Sequence, residues 1–313
     1  MTSYIIRRVL VAIPTLLVVL TLVFLLVRVA PGDPATAVLG QQASKEAIEN
    51  LRTKMGLDQP LWRQYFQYLK GLVQGNLGKS LISRRPVGGQ VVHALPFTLQ
   101  LTATGVLLGS LLGIPLGIVT AVRRNTLVDY LGRVFSLAGL SIPAFYLGIL
   151  LMMLFSIQLN LLPTVGGGAQ TDIRSLARHL VLPGLTLGLI MTAYVTRMTR
   201  SSILNILRQD YVATARSKGL RERIVVYKHI LKNALVPILS VLGVYSIVLI
   251  GSSVMTEIVF SRPGLGKLMV MAMKQRDYLM LQSLLTIYAG LVVIINLVTD
   301  LSYGFVDPRV RYD

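Results

Sequence analysis

The stretch ALPFTLQLTATGVLLGSLLGIPLGIVTAV, residues 94–122, runs for 29 residues without a charged side chain. About 30 Å of hydrocarbon is crossed by roughly 20 mostly apolar residues at a rise of 1.5 Å each. The run is long enough to span a bilayer, with its helical part expected to start near Thr98. Within it Gly105, Gly109, Gly113 and Gly117 recur every fourth residue. That spacing lines one helix face with small side chains and lets a neighbouring helix approach closely.

Working outward, five more windows have the same character: residues 9–27, 134–162, 180–196 (short, and expected to begin earlier), 233–256 and 278–299. Only 14% of the 313 residues are charged, against about 25% in a soluble domain, and mean hydropathy is +0.66. The expectation is an all-α integral membrane protein with six transmembrane helices. Residues 1–97 read as a first span plus a long extracytoplasmic segment. Residues 98–304 read as a five-helix core with a loop at about 197–232, and 305–313 as a short tail. Cysteine is absent, which excludes disulfides and thiolate metal sites.

The net charge of +18 is laid out as membrane topology predicts rather than as a nucleic-acid patch. With the N-terminus inside, the inner segments hold sixteen Lys and Arg, nine of them between the fourth and fifth windows. The two short outer loops hold six, and long outer segments largely escape this rule. Both termini are therefore expected on the cytoplasmic side of the membrane, which the resemblance described below implies is the plasma (inner) membrane of a bacterium. The first apolar run, 19 residues, exceeds the 7–15 of a cleaved signal, so a retained span is expected.

In the outer segment, Pro31-Gly32-Asp33-Pro34 marks a turn and Ser44 a helix cap before Lys45-Glu46. Residues 61–69 form an aromatic-rich amphipathic helix suited to a membrane interface or to an outer partner. Gly78-Lys79-Ser80 imitates the end of a phosphate-binding loop. The first glycine of that motif would stand at 73, where the chain has Val73, so ATP is not expected to bind here.

The most informative inner stretch is Asp210-Tyr211-Val212-Ala213-Thr214-Ala215-Arg216-Ser217-Lys218-Gly219-Leu220. Asp210 suits a helix cap. Ala213 and Ala215 are small enough to admit a partner's backbone, and Gly219 suits the left-handed position that ends a helix. A second amphipathic run follows, with Ile224, Tyr227, Leu231 and Leu235 at helical spacing. A short helix held outside the membrane between two spans is a mechanical link to both.

This segment resembles the coupling loop of binding-protein-dependent ABC importer permeases, whose pattern is E-A-A-x3-G-x9-I-x-L-P. Aligned on Gly219, the first three positions are Ala213, Thr214 and Ala215, and the last are His229, Leu231 and Lys232. The small residues, glycine and leucine match; the glutamate, isoleucine and proline do not. The chain is similar almost end to end to the peptide, glutathione and nickel branch, of the dipeptide or oligopeptide permease type. It carries Tyr4-Ile5-Ile6-Arg7-Arg8, Pro31-Gly32-Asp33-Pro34, Gly56-Leu57-Asp58-Gln59-Pro60 and Ser83-Arg84-Arg85-Pro86-Val87. Arg197-Met198-Thr199-Arg200 leads to Asp210-Tyr211. Thr256-Glu257-Ile258-Val259-Phe260, Pro263-Gly264-Leu265-Gly266, Arg276-Asp277-Tyr278 and Asp307-Pro308-Arg309-Val310-Arg311-Tyr312 complete the set.

The resemblance implies a type I importer bundle in the lipid bilayer that moves short peptides, glutathione or a nickel complex inward. It also implies a second homologous permease, two cytoplasmic ATPase subunits that bind ATP and Mg, and an extracytoplasmic solute-binding protein. Asp210, Tyr211, Ala213, Thr214, Ala215, Lys218, Gly219 and Leu220 are the residues it places against the ATPase.

Glu257 and Arg262, at the outer end of the fifth window, read as a gate or a structural pair. His93, His179 and His229 have no metal-ligand spacing and no catalytic cluster appears, so neither a resident cofactor nor enzymatic chemistry is expected. An ion-coupled carrier normally needs charge near the midplane, which the six windows lack.

Overall fold

The computed structural model describes residues 2–29, 33–40, 42–169 and 171–306, and these are helical throughout apart from turns and one isolated Lys79–Pro86 bridge. The chain forms two compact units: one of residues 1–9, 97–262 and 294–313, the other of 10–96 and 263–293. Among the described residues five helices are long and apolar enough to cross a membrane, and a bent pair supplies a sixth crossing if it counts as one span.

The second unit takes residues 10–29 of α1 (Thr2–Val29), followed by α2 (Pro34–Leu39), α3 (Lys45–Lys54) and α4 (Leu61–Val73). Ser44 caps α3 by accepting from the Ala47 amide. Of the expected turn at 31–34, Pro31 and Gly32 lie outside the described residues; Asp33 precedes the first residue of α2. The aromatic helix α4 turns Tyr65 and Tyr68 onto Phe24 of α1, with centroids 5.3 and 5.8 Å away. Trp62 and Phe66 stay exposed. Arg28 Nε donates to Gln64 at 2.9 Å and its guanidinium lies over Phe24. The start of α5 (Val87–Val122), α12 (Leu265–Lys274) and α13 (Tyr278–Val306) bury Val87, Leu265 and Leu284 together.

In the first unit, α5 packs along α8 (Ile173–Ile206). The space beside Gly105, Gly109, Gly113 and Gly117 is filled by Leu187, Met191, Val195 and Thr199, one residue per turn. Gly184 and Gly188 of α8 receive Thr104 and Leu108 in return. A Cβ would be tight at Gly105 and would overlap the neighbour at the others, so the two backbones meet at a distance that glycine permits.

The window at 134–162 is not one helix. It is α6 (Leu127–Ser141) and α7 (Ala144–Met152), the latter running into a π-helical turn, Met153–Gln158, and the pair is bent by 102°. Pro143 is the cause: it disfavours helical geometry at Ile142, which is extended at φ −88°, ψ 122°. The window at 180–196 does begin earlier, at Ile173, where Asp172 accepts from the Arg174 amide.

Candidate functional site

After α8 the chain forms a short helix, α9 (Asp210–Ser217), ahead of α11 (Leu231–Val259). Asp210 is its first helical residue rather than its cap. Gln209 holds the cap position without a side-chain bond, so Asp210 acts by setting negative charge against the positive end of the helix. Val212 and Ala215 point inward, joining Ile203, Val225 and Ile230 in a buried cluster. The Ala215 side chain is thus part of this chain's own core. Asp210, Tyr211, Ala213 and Thr214 of α9, and Lys218, Gly219 and Leu220 just beyond it, are exposed.

The end of α9 is built as its sequence requires. Gly219 has φ +74°, and its amide donates to the Arg216 carbonyl. Across this turn Arg216 grips Glu222 with two hydrogen bonds, 2.6 and 3.2 Å. The Glu222 carboxylate holds the Arg216 guanidinium above its usual range, against a smaller opposing effect of burial. Tyr211 accepts from Asn233 Nδ2 at 2.8 Å, which ties α9 to the first turn of α11.

The following segment departs from the amphipathic run expected at Ile224, Tyr227, Leu231 and Leu235. Here α10 (Glu222–Ile224) opens into a π-helical stretch, Val225–Ile230, before α11. The wider π turn rotates the buried face onto Val226, Ile230, Ala234 and Ile238, every fourth residue, leaving Ile224 and Tyr227 exposed.

A buried ion pair that sequence reasoning missed holds the entry to this region. Asp129 of α6, wholly buried, accepts from Arg200 of α8 at 2.6 and 2.9 Å and from the Asn125 amide at 3.0 Å. The signal was present: Asp129 is the one acid between Arg123, Arg124 and Arg133. Arg8 and Asp300 form a more open pair at 2.8 Å.

Glu257 and Arg262 are both wholly buried. Glu257 accepts from the Thr98 hydroxyl at 2.6 Å, and Arg262 donates to Gln100 at 3.0 Å while lying over the Phe97 ring. Burial lowers the Arg262 pKa, and the neighbouring Glu257 charge opposes it. Both side chains therefore converge on residues 97–100 of α5, an arrangement that braces this corner. Among the described residues no group of three or more metal-ligating side chains occurs.

Apolar helices long enough to cross a membrane, with a short helix between two of them packed by one face and exposed on the other, define an integral membrane protein. The chain belongs to the family of binding-protein-dependent transport system inner membrane components, matched over residues 113–312, with the family's N-terminal region matched over residues 1–102. It is 41% identical over 312 residues to the glutathione transport system permease protein GsiC of Escherichia coli strain K12, covering all of both chains. GsiC of Pectobacterium atrosepticum is 42% identical over the same span. Among solved structures, inward-facing forms of the MetNI methionine ABC transporter align with TM-scores of 0.55 and 0.57. They cover 69% and 70% of this chain and 96% of theirs at 20% identity, a likeness of fold. The type I importer permease fold expected from the sequence is the one found.

Proposed function

We propose that this chain is one of two permease subunits of an ATP-driven importer for short peptides, glutathione first among them. In this reading two ATPase subunits, which bind ATP and Mg, dock on the exposed face of α9. An extracytoplasmic binding protein delivers the solute, and both termini lie in the cytoplasm. The observation that carries the reading is α9 itself: a short helix with one face locked into the core and the other free, leading directly into two spans. Closing the ATPases would drag α9, and α8 and α11 with it, because Val212 and Ala215 are packed against Ile203 and Ile230. The full-length similarity to permeases named for glutathione transport favours glutathione over a nickel complex. Glu257 and Arg262 act as a structural pair rather than as a gate, since each is held by α5.

The test is import of radiolabelled glutathione, a dipeptide and a nickel chelate by the reconstituted four-subunit complex with its binding protein. ATP-dependent uptake of glutathione or the dipeptide is expected. Uptake that follows an ion gradient without ATP, or that is confined to nickel, would contradict the reading.

A further inference from the structure

Beyond transport, the first unit contains a cavity of about 360 Å³ with almost wholly apolar walls. Leu116 and Val119 of α5, Val128, Leu131 and Phe135 of α6, and Thr196 of α8 line it. Four of these side chains, Leu116, Val119, Leu131 and Phe135, are exposed, so the cavity is a groove open along the side of the helices. It leads to positive charge. The Arg123 amide donates to the Val119 carbonyl at 2.9 Å, which keeps Arg123 in the helical register of α5, one turn beyond the groove. Arg124 follows in the turn that leads to α6, and both arginines are exposed. Asp129, the one acid in the sequence between Arg123 and Arg133, is bonded to Arg200 and is wholly buried. Arg133, half exposed, lies 3.7 Å from the same carboxylate, so the positive rim rests on Arg123 and Arg124.

We propose that this groove binds an anionic phospholipid, one acyl chain lying along α5 and α6 and the phosphate held by Arg123 and Arg124. Apolar walls ending at two solvent-facing arginines match the chemistry of such a lipid at a membrane edge, where basic side chains attract anionic headgroups. A zwitterionic lipid fills the same groove but gains much less from the arginines.

The assay is native mass spectrometry of the purified complete transporter, titrated with phosphatidylglycerol and phosphatidylcholine of identical chains. Retention of one phosphatidylglycerol, favoured roughly tenfold over phosphatidylcholine, is expected. The double variant Arg123→Gln/Arg124→Gln should abolish the preference while both lipids still bind weakly. Filling the groove with Leu131→Trp, or with Val119→Phe if the former does not assemble, should reduce both lipids alike. Equal retention of the two lipids by the unaltered protein would overturn the proposal, as would a preference that survives both kinds of variant. Two further outcomes count against it: displacement of the lipid by glycerol phosphate at equal concentration, which would make the acyl chain irrelevant, and protection of the groove by a partner helix with no lipid retained.

Discussion

Gly219 carries more of the account than any other single residue, and for a conformational reason. Nothing lies within 4 Å of the place a Cβ would occupy, so space is not the constraint; the backbone at φ +74° is. A β-branched residue in that conformation costs about 1–2 kcal/mol, and asparagine tolerates it. Gly219→Val should raise the ATP hydrolysed per solute moved several-fold in the reconstituted complex, whereas Gly219→Asn should stay near the unaltered ratio. Equal ratios for the two variants would remove the turn from the mechanism. Asp129 makes a second prediction at this scale. Removing one partner of a buried, bidentate ion pair strands the other charge, at a cost of about 3–5 kcal/mol. Asp129→Ala should lower the thermal midpoint of the purified complex markedly, and Asp129→Ala/Arg200→Met should recover part of the loss. A double variant no better than the single one would mean the pair is not what holds α6 to α8. The sequence exposed Gly219 because a positive φ leaves a residue-type signature. It hid the Asp129–Arg200 pair because 71 positions separate partners that only the fold brings together.

At the scale of elements, periodicity was legible and curvature was not. The four-residue glycine spacing on α5 announced a packing face, and α8 fills it with one side chain per turn. Gly113→Leu should therefore force α5 and α8 apart, costing about 1–3 kcal/mol or more and reducing assembled transporter in the membrane fraction. Gly251→Leu on α11, where a Cβ meets nothing within 4 Å, serves as the contrast and should leave assembly unchanged. Similar loss from both would show that glycine content, not this interface, sets stability. The break in the third window was not legible, because residues 134–162 stay apolar on both sides of Pro143 and hydropathy carries no direction. The π-helical turn at Val225–Ile230 misled in the same way: one added residue per turn shifts the buried face, and a 3.6-residue template then selects the wrong stripe.

For the whole molecule, the class of protein followed from two features of different kinds, the apolar windows and the α9 segment. Neither depended on catalytic residues. The solute is less legible because a permease shares its choice of cargo with the binding protein that feeds it. The central claim, that α9 faces the cytoplasm and is grasped by an ATPase, is open to a direct measurement, since the chain contains no cysteine and any introduced thiol is unique. Lys218→Cys and Ile173→Cys, both at exposed positions, would be treated in intact cells and in inverted vesicles with a membrane-impermeant maleimide. Lys218→Cys should label only in inverted vesicles, with protection when the ATPase subunits are bound, and Ile173→Cys only in intact cells. Labelling of Lys218→Cys from outside the cell, or labelling indifferent to the ATPase, would contradict the account.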